Sequence, residues 1–162
     1  MTKEHLWAPW RIEYILQEKP DYCVLCEKKE SSDSSRLILK RGKDAFVIMN
    51  LFPYNNGHLM VCPYEHTNDY LALSSEVKTE IMTLIDESLS VLKKLMNPDG
   101  FNLGMNLGKT AGAGIDEHVH WHVVPRWNGD TNFMPVLNHT KVHVEGLRET
   151  WKKLRLEFDL LK

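Results

Sequence analysis

The sequence predicts an α+β domain in which an antiparallel sheet carries its helices packed on one face. Three observations lead to this prediction. Four segments have strand patterns, and tight turns join neighbouring strands. Two longer segments repeat apolar residues at helical spacing. Strands and helices do not alternate regularly along the chain, as they do in proteins built on parallel sheets.

Length and composition indicate one globular unit. A chain of 162 residues fits a single domain, 1–162, with room for a hydrophobic core. The net charge is −2 and basic residues form no dense block, so we expect no nucleic-acid partner. No apolar run approaches membrane length and no signal segment opens the chain. We therefore expect no membrane partner and a cytoplasmic location.

The predicted strands lie at about 44–50, 57–63, 101–107 and 118–125. Residues 52–57 between the first two contain Pro, Asn and Gly, which favour a turn. Before these strands we predict a polar loop. Basic residues follow that loop, and we interpret them as a solvated turn: Lys40, Arg41 and Lys43.

Three helices are predicted. The longest covers residues 75–96, where apolar residues recur at helical spacing after a serine cap and an Asn-Pro-Asp-Gly sequence ends the helix. A short helix is predicted at 7–17, and Pro9 suits its first turn. The tail from Val144 to Leu161 has a stripe of large apolar residues and predicts a C-terminal helix.

The most informative segment carries three of the eight histidines of the chain, His118, His120 and His122. On a β-strand these three side chains share one face. The opposite face is apolar and consists of Val119, Trp121 and Val123. Such a strand could supply imidazole ligands to a metal, or it could carry a histidine nucleophile flanked by assisting histidines. The residues alone leave both interpretations open.

A glycine-rich loop precedes this strand. Gly108, Gly112 and Gly114 lie within seven residues and let the backbone approach a ligand closely. Backbone N–H groups in such loops bind phosphate oxygens without side-chain help. The order of loop and strand therefore predicts an anion site beside the imidazoles.

The loop and the His-x-His-x-His strand resemble the histidine triad family, and the resemblance extends through Pro125-Arg126-Trp127. It implies a homodimer whose sheet continues across both subunits, and activity on dinucleoside polyphosphates in the manner of diadenosine polyphosphate phosphorylases and hydrolases. It also implies that His120 is the nucleophile and that His58 supports the triad. His122 would contact the α-phosphate or the leaving oxygen and help with proton transfer.

Further positions are assigned to substrate binding by the same resemblance. Asn50 and Asn106 match residues that contact ribose and phosphate. The loop would bind phosphate oxygens through the backbone of Gly112, Ala113, Gly114 and Ile115. This loop is one residue longer than in better-known triad hydrolases and lacks their Gly-Gln-Ser/Thr sequence. Loop contacts are therefore expected from the backbone rather than from side chains.

Cys23 and Cys26 have the spacing of a metal-binding thiolate pair. Spacing alone is also consistent with a redox pair or with two reduced thiols. The resemblance implies a structural zinc site completed by His66 and His118. Cys62 lies in an apolar strand, and we expect it to be buried.

The resulting functional prediction is a nucleotide hydrolase or nucleotidyl transferase that forms a covalent nucleotidyl intermediate on His120. One alternative is a metal-dependent hydrolase in which the three triad histidines share an ion. Successive alternate residues spread over about 13 Å of strand, which disfavours a shared ion. The other alternative is a zinc-stabilised nucleotide-binding regulator without turnover.

Overall fold

The fold is built on one five-stranded antiparallel sheet with the strand order β1-β2-β3-β5-β4. The structure is a computed structural model and describes residues 22–26, 32–130 and 145–161. The strands are β1 (Ile38–Arg41), β2 (Ala45–Met49), β3 (Leu59–Pro63), β4 (Gly100–Gly104) and β5 (Trp121–Arg126). The predicted antiparallel sheet is confirmed.

One helix precedes the strands in the sequence, one lies between β3 and β4, and one follows β5. They are α1 (Asp33–Arg36), α2 (Ser75–Met96) and α3 (Leu147–Leu160), with 3₁₀ turns at Tyr70–Ala72 and Lys109–Ala111. The predicted long helix is confirmed with its bounds. The hydroxyl of Ser74 accepts a hydrogen bond from Val77 N at its start, and Asn97 ends it with a left-handed φ of 44°.

The main core lies between one face of the sheet and helices α2 and α3. Val47, Val61 and Val123 from three neighbouring strands pack there against Leu92 of α2 and Phe158 of α3. Val119 and Trp121 belong to the same cluster, so the predicted apolar face of the histidine segment is confirmed. A smaller cluster covers the other face and contains Leu25, Ile38, Phe46, Ile48, Met60 and Cys62. The expected burial of Cys62 is confirmed, since it is fully inaccessible.

The interpretation of Lys40 and Arg41 as a solvated turn was wrong. Both lie on β1, an edge strand that pairs with β2. Their charges are neutralised on the strand: Lys40 Nζ lies 2.8 Å from Glu87 Oε1, and Arg41 Nε donates to Asp33 Oδ1 at 2.8 Å. The predicted polar loop likewise contains α1, whose first turn is capped by Ser32. A four-residue strand with two charges has too little apolar alternation to be recognised.

The histidine segment enters the sheet later than predicted. His118 and His120 precede β5, and only His122 lies within the strand, where it pairs with Met60. Val119 N donates to Thr67 O at 2.8 Å, which holds the extended segment ahead of the ladder. The predicted helix at 7–17 lies outside the described residues. No helix in the described ranges has the length and apolarity needed to cross a bilayer.

Candidate active site

A cavity of about 610 Å³ opens on the sheet face opposite α2 and α3. Ile48 and Met60 from the sheet form part of its lining, and His120 and His122 face it. Leu25 lines another wall beside the paired cysteines. The sheet thus separates a helix-covered core from an open face that carries the predicted catalytic histidines.

His120 is held in one tautomer by a backbone group. Its Nδ1 lies 2.8 Å from the carbonyl oxygen of His118, and a carbonyl only accepts, so Nδ1 carries the hydrogen. Nε2 of a neutral ring then keeps its lone pair. Burial lowers the pKa of His120, and the hydrogen bond to the carbonyl opposes this shift. The ring is therefore neutral near pH 7 and chemically able to attack phosphorus.

His58 and His122 form a second unit at the cavity. His58 is completely buried, and its Nε2 lies 2.9 Å from Nδ1 of His122. The backbone N–H of Tyr54 donates to Nδ1 of His58 at 3.0 Å. The ring of Tyr54 packs on both imidazoles, with centroid distances of 4.7 Å to His58 and 5.8 Å to His122. The structure thus brings His58 to the triad across the β3–β5 pair.

Only part of the glycine-rich loop reaches the cavity. Gly114 and Ile115 line it, as do the predicted Asn50 and Asn106. By contrast, the backbone N–H groups of the other two predicted loop residues donate within the loop. Gly112 N lies 2.9 Å from Lys109 O, and Ala113 N lies 3.3 Å from Gly108 O. Gly112 has a φ of 91°, a backbone conformation that glycine adopts without steric cost.

Asn50 has a defined orientation. Its side-chain oxygen accepts a hydrogen bond from Phe52 N at 2.9 Å, and its backbone N–H donates to His58 O at 3.0 Å. These bonds hold the end of β2 against the residue that supports His122. Asn50 therefore connects the cavity wall to the histidine pair.

Four predicted metal ligands form one cluster. The ligand atoms of Cys23, Cys26, His66 and His118 all lie within 4.8 Å of one another. Cys23 Sγ lies 3.4 Å from His118 Nδ1, and Cys26 Sγ lies 3.1 Å from His66 Nδ1. Tetrahedral zinc with ordinary Zn–S and Zn–N bonds separates S and N ligands by about 3.5 Å. The cluster could therefore hold a metal ion without large rearrangement.

The protonation of His118 suits a ligand. Its Nε2 lies 2.9 Å from the carbonyl oxygen of Pro63 and must donate to it, so Nδ1 offers its lone pair to the cysteines. Burial lowers the pKa of His118, which also favours the neutral ring. Burial, followed by the neighbouring Cys23, raises the pKa of the Cys26 thiol. A metal ion must displace that proton on binding.

The geometry disfavours a single ion shared by the three triad histidines. His118 turns its Nδ1 towards the cysteines, whereas Nδ1 of His120 and Nδ1 of His122 are engaged with a carbonyl and with His58. Within the described ranges, the cluster around the cysteines is the one group of three or more potential ligands that converges.

Two features of the site were missed in the sequence. Tyr22, Val24 and Leu25, which lie next to the predicted ligand Cys23 in the sequence, form a wall of the cavity. Asn55 and Asp130 are joined by a 2.6 Å hydrogen bond that ties the turn before His58 to the turn after β5. Asn55 lies inside the predicted 52–57 turn, but a turn pattern does not identify a partner 75 residues away.

The fold and the site together define a small α+β protein whose cavity carries a cluster of histidines. The chain belongs to the HIT domain family, whose sequence model matches residues 31–129. The predicted family is therefore confirmed.

Relatives agree with this assignment. The AP-4-A phosphorylase of Mycobacterium tuberculosis is 37% identical over 164 residues, which cover 96% of this chain and 84% of that protein. A bis(5′-adenosyl)-triphosphatase of Dictyostelium discoideum is 34% identical over 82 residues, 51% of this chain and 54% of that protein. The crystal structure of a Zn-bound histidine triad family protein from Mycobacterium smegmatis has the same fold. Its TM-score is 0.63 at 24% identity, over 78% of this chain and 86% of that one.

Proposed function

We propose that the protein transfers a nucleotidyl group from a dinucleoside polyphosphate through a covalent intermediate on His120. One observation carries the proposal. The carbonyl of His118 holds the hydrogen of His120 on Nδ1, so that Nε2 keeps its lone pair on a ring that faces the cavity. Two similar proteins bear the names AP-4-A phosphorylase and bis(5′-adenosyl)-triphosphatase, which support this substrate class.

The proposed reaction has two displacements at the same phosphorus. Nε2 of His120 attacks the α-phosphorus; an N–P bond forms, and the P–O bond to the departing nucleotide breaks. Water or inorganic phosphate then attacks that phosphorus, and the N–P bond breaks with its electrons returning to Nε2, which regenerates neutral His120. When water is the acceptor, its proton is released to solvent. His122 and the backbone at Gly114 and Ile115 contact the phosphate oxygens.

Binding of the nucleoside is assigned to the remaining cavity wall. Asn50 and Asn106 contact ribose and phosphate in this proposal. The apolar side chains of Leu25, Ile48 and Met60 give the base a surface to stack on.

The test is a product analysis with diadenosine tetraphosphate. The protein is incubated with and without inorganic phosphate, and both products are identified. Acid and alkaline quenching of labelled substrate should reveal an acid-labile, alkali-stable adduct on His120. His120→Asn should bind nucleotide but lose the adduct and nearly all turnover. Turnover that depends on added metal and forms no adduct would support the metal-dependent alternative. Binding without turnover would support the regulator.

We further propose that the ion held by the cysteine cluster is zinc and that its role is structural. The Cys₂His₂ donor set and the 3.1–3.8 Å distances between sulfur and nitrogen atoms support zinc. When bound, the ion would cross-link residues 23–26 to the sheet through His118. A cytoplasmic location, where thiols stay reduced, is part of this proposal.

The zinc proposal predicts about one zinc per chain and joint loss of metal and stability in Cys26→Ser. Cys62→Ala is the matched control, because this buried thiol lies outside the cluster. It should lower stability through lost packing and keep the metal. Undiminished stability of metal-free protein would refute the structural role.

The homodimer is proposed from the edge of the sheet. In the described part of the chain β4 pairs with β5 alone, and Leu103 and Leu107 near this edge are about half exposed. An exposed strand edge with apolar side chains favours pairing with a second copy. Sedimentation should give a dimer for the wild type and a monomer for Leu103→Lys. Leu156→Lys, at an exposed position of α3, is the control and should stay dimeric.

A further inference from the structure

The metal cluster and the cavity share one short segment of the chain. Cys23 and Cys26 supply two of the four potential ligands, whereas Tyr22, Val24 and Leu25 line the cavity. Residues with these two roles are interspersed along five consecutive positions. A contact that fixes the backbone of this segment therefore also fixes the cavity wall.

Hydrogen bonds to the sheet do not fix this backbone. Among the described residues, the one backbone–backbone hydrogen bond that involves the segment is internal, from Cys26 N to Cys23 O at 3.3 Å. Leu25 attaches the segment to the sheet by packing, since it is 2% exposed and belongs to the smaller core cluster. One packed side chain holds the segment at one point and does not define the direction of its peptide groups.

Arg36 defines that direction. It is the last residue of α1, and its Nη1 donates to Cys26 O at 3.1 Å while its Nη2 donates to Val24 O at 2.5 Å. The guanidinium is planar and its donors form a rigid fork, so bonds to two carbonyls two residues apart orient both peptide groups together. These carbonyls flank Leu25. Arg36 thus holds the backbone on either side of the residue that packs on the sheet.

We propose that Arg36 is a positioning residue for nucleoside binding, which holds the wall of Tyr22, Val24 and Leu25 in the conformation that receives the base. This inference deepens the proposed function and rests on it, because that proposal places the base against this part of the cavity. A wall that is already ordered loses less conformational entropy when a ligand binds. Loss of Arg36 should therefore weaken binding and leave the chemical steps unchanged.

Arg36 itself lines the cavity, so a direct contact of its charge with phosphate is the competing explanation. Wild type, Arg36→Met and Arg36→Lys, each saturated with zinc and shown to be folded by circular dichroism, are titrated with adenosine and with AMP by calorimetry. Positioning predicts that Arg36→Met weakens both ligands by the same factor, at least about fivefold, the lower end of usual coupling between sites. Arg36→Lys keeps the charge without the fork, so most of the loss should remain.

The control for these titrations is Arg148→Met, at an exposed position of α3, which should bind both ligands as the wild type does. Unchanged binding in Arg36→Met would overturn the inference. A loss for AMP alone, or full recovery in Arg36→Lys, would also overturn it, because either result would show that the charge of Arg36 contacts the phosphate.

A double-mutant cycle tests whether Arg36 acts through the wall. Val24 is 39% exposed, so Val24→Ala should remove wall surface and weaken adenosine binding without disturbing the core. Residues that act through one element have non-additive effects. The protein with both Arg36→Met and Val24→Ala should therefore lose less affinity than the product of the two single losses. Losses that multiply would refute action through the wall.

The kinetic test uses diadenosine tetraphosphate. In Arg36→Met, KM should rise by a factor similar to that for adenosine, while kcat stays within about twofold of the wild type. The reason is that His120 and His122 are oriented by His118 O and by His58, not by the wall. A fall in kcat with an unchanged KM would contradict the inference. Wild type that binds adenosine and AMP but cleaves no dinucleoside polyphosphate would refute the proposed function, and the titrations alone would then decide the role of Arg36.

Discussion

Gly57 offers a sharp test of how the turn before His58 is built. Its φ is +76°, a conformation that residues with a Cβ adopt at a cost. A Cβ at this position would lie 2.7 Å from Met96 Sδ and 3.1 Å from Leu92 Cδ2. Both side chains belong to the last turns of α2. Gly57→Ala therefore combines backbone strain with a collision against the core.

The two costs can be estimated separately. The left-handed backbone costs an alanine about 1–2 kcal/mol. Overpacking a well-filled core costs about 1–3 kcal/mol, and the flexible Met96 side chain favours the lower half of that range. The free energy of unfolding should fall by about 2–4 kcal/mol. For a chain of this size each kcal/mol lowers Tm by about 2–4 °C, so the expected drop is roughly 5–15 °C.

Gly129→Ala is the matched control. Gly129 has a similar φ of +72°, and nothing lies within 4 Å of its Cβ position. Gly129→Ala should lower the free energy of unfolding only by the cost of the left-handed backbone, about 1–2 kcal/mol. Urea and thermal unfolding of both variants would measure the difference. Equal losses of stability in the two variants would show that a Cβ at position 57 does not collide with α2, and would refute the packing argument.

Three further predictions concern other parts of the fold. The Arg126 guanidinium holds the pKa of Asp130 well below its usual range, so this stabilisation is complete at neutral pH, begins to decline below about pH 4 and is lost as pH falls through the lowered pKa. Asp130→Asn should lower the free energy of unfolding by about 2–3 kcal/mol at pH 7. Urea unfolding of the wild type and the variant should show that this difference shrinks as the solution becomes acidic. Gly114→Val should impair turnover. Lys109→Ala should change turnover little, because the Lys109 ammonium is largely exposed. A larger loss of turnover in Lys109→Ala than in Gly114→Val, measured in steady-state assays, would contradict this prediction. Trp151→Phe removes a 3.0 Å hydrogen bond from Nε1 to a β1 carbonyl and should cost about 1 kcal/mol in urea unfolding.

Helix α2 was predictable because all of its signals are local. The cap at Ser74, the helical repeat of apolar residues and the stop at Asn97 agree with one another. Strand β1 lacks such agreement, since it is short, carries two charges and gains its stability from pairing with β2 and from Glu87 on a distant helix. Edge strands of this kind depend on tertiary contacts that a local pattern does not contain.

In the site, as in the fold, features set by local sequence were predictable and contacts between distant residues were not. Alternation placed the histidines opposite an apolar face, and this holds although His118 and His120 precede the ladder. The His58–His122 contact joins residues 64 apart, and the contact of Cys23 with His118 joins residues 95 apart. Periodicity and spacing cannot find such pairs; only resemblance to a family suggested them. The direction of the hydrogen bonds depends on which atoms meet in the folded chain, and the sequence does not contain this information.

His118 links the metal cluster to the proposed nucleophile. Its Nδ1 faces the cysteines, its Nε2 donates to Pro63 O, and its own carbonyl oxygen orients His120. A change that frees the His118 ring should let that carbonyl move and mix the tautomers of His120. We therefore expect Cys23→Ser to lower kcat more than it raises KM, at temperatures where the variant is still folded. His66→Ala is the comparison, because it removes an exposed ligand and leaves the contact of Cys23 with His118 in place. If both variants kept the wild-type kcat while losing metal, the cluster would serve stability alone and His120 would be oriented independently of it.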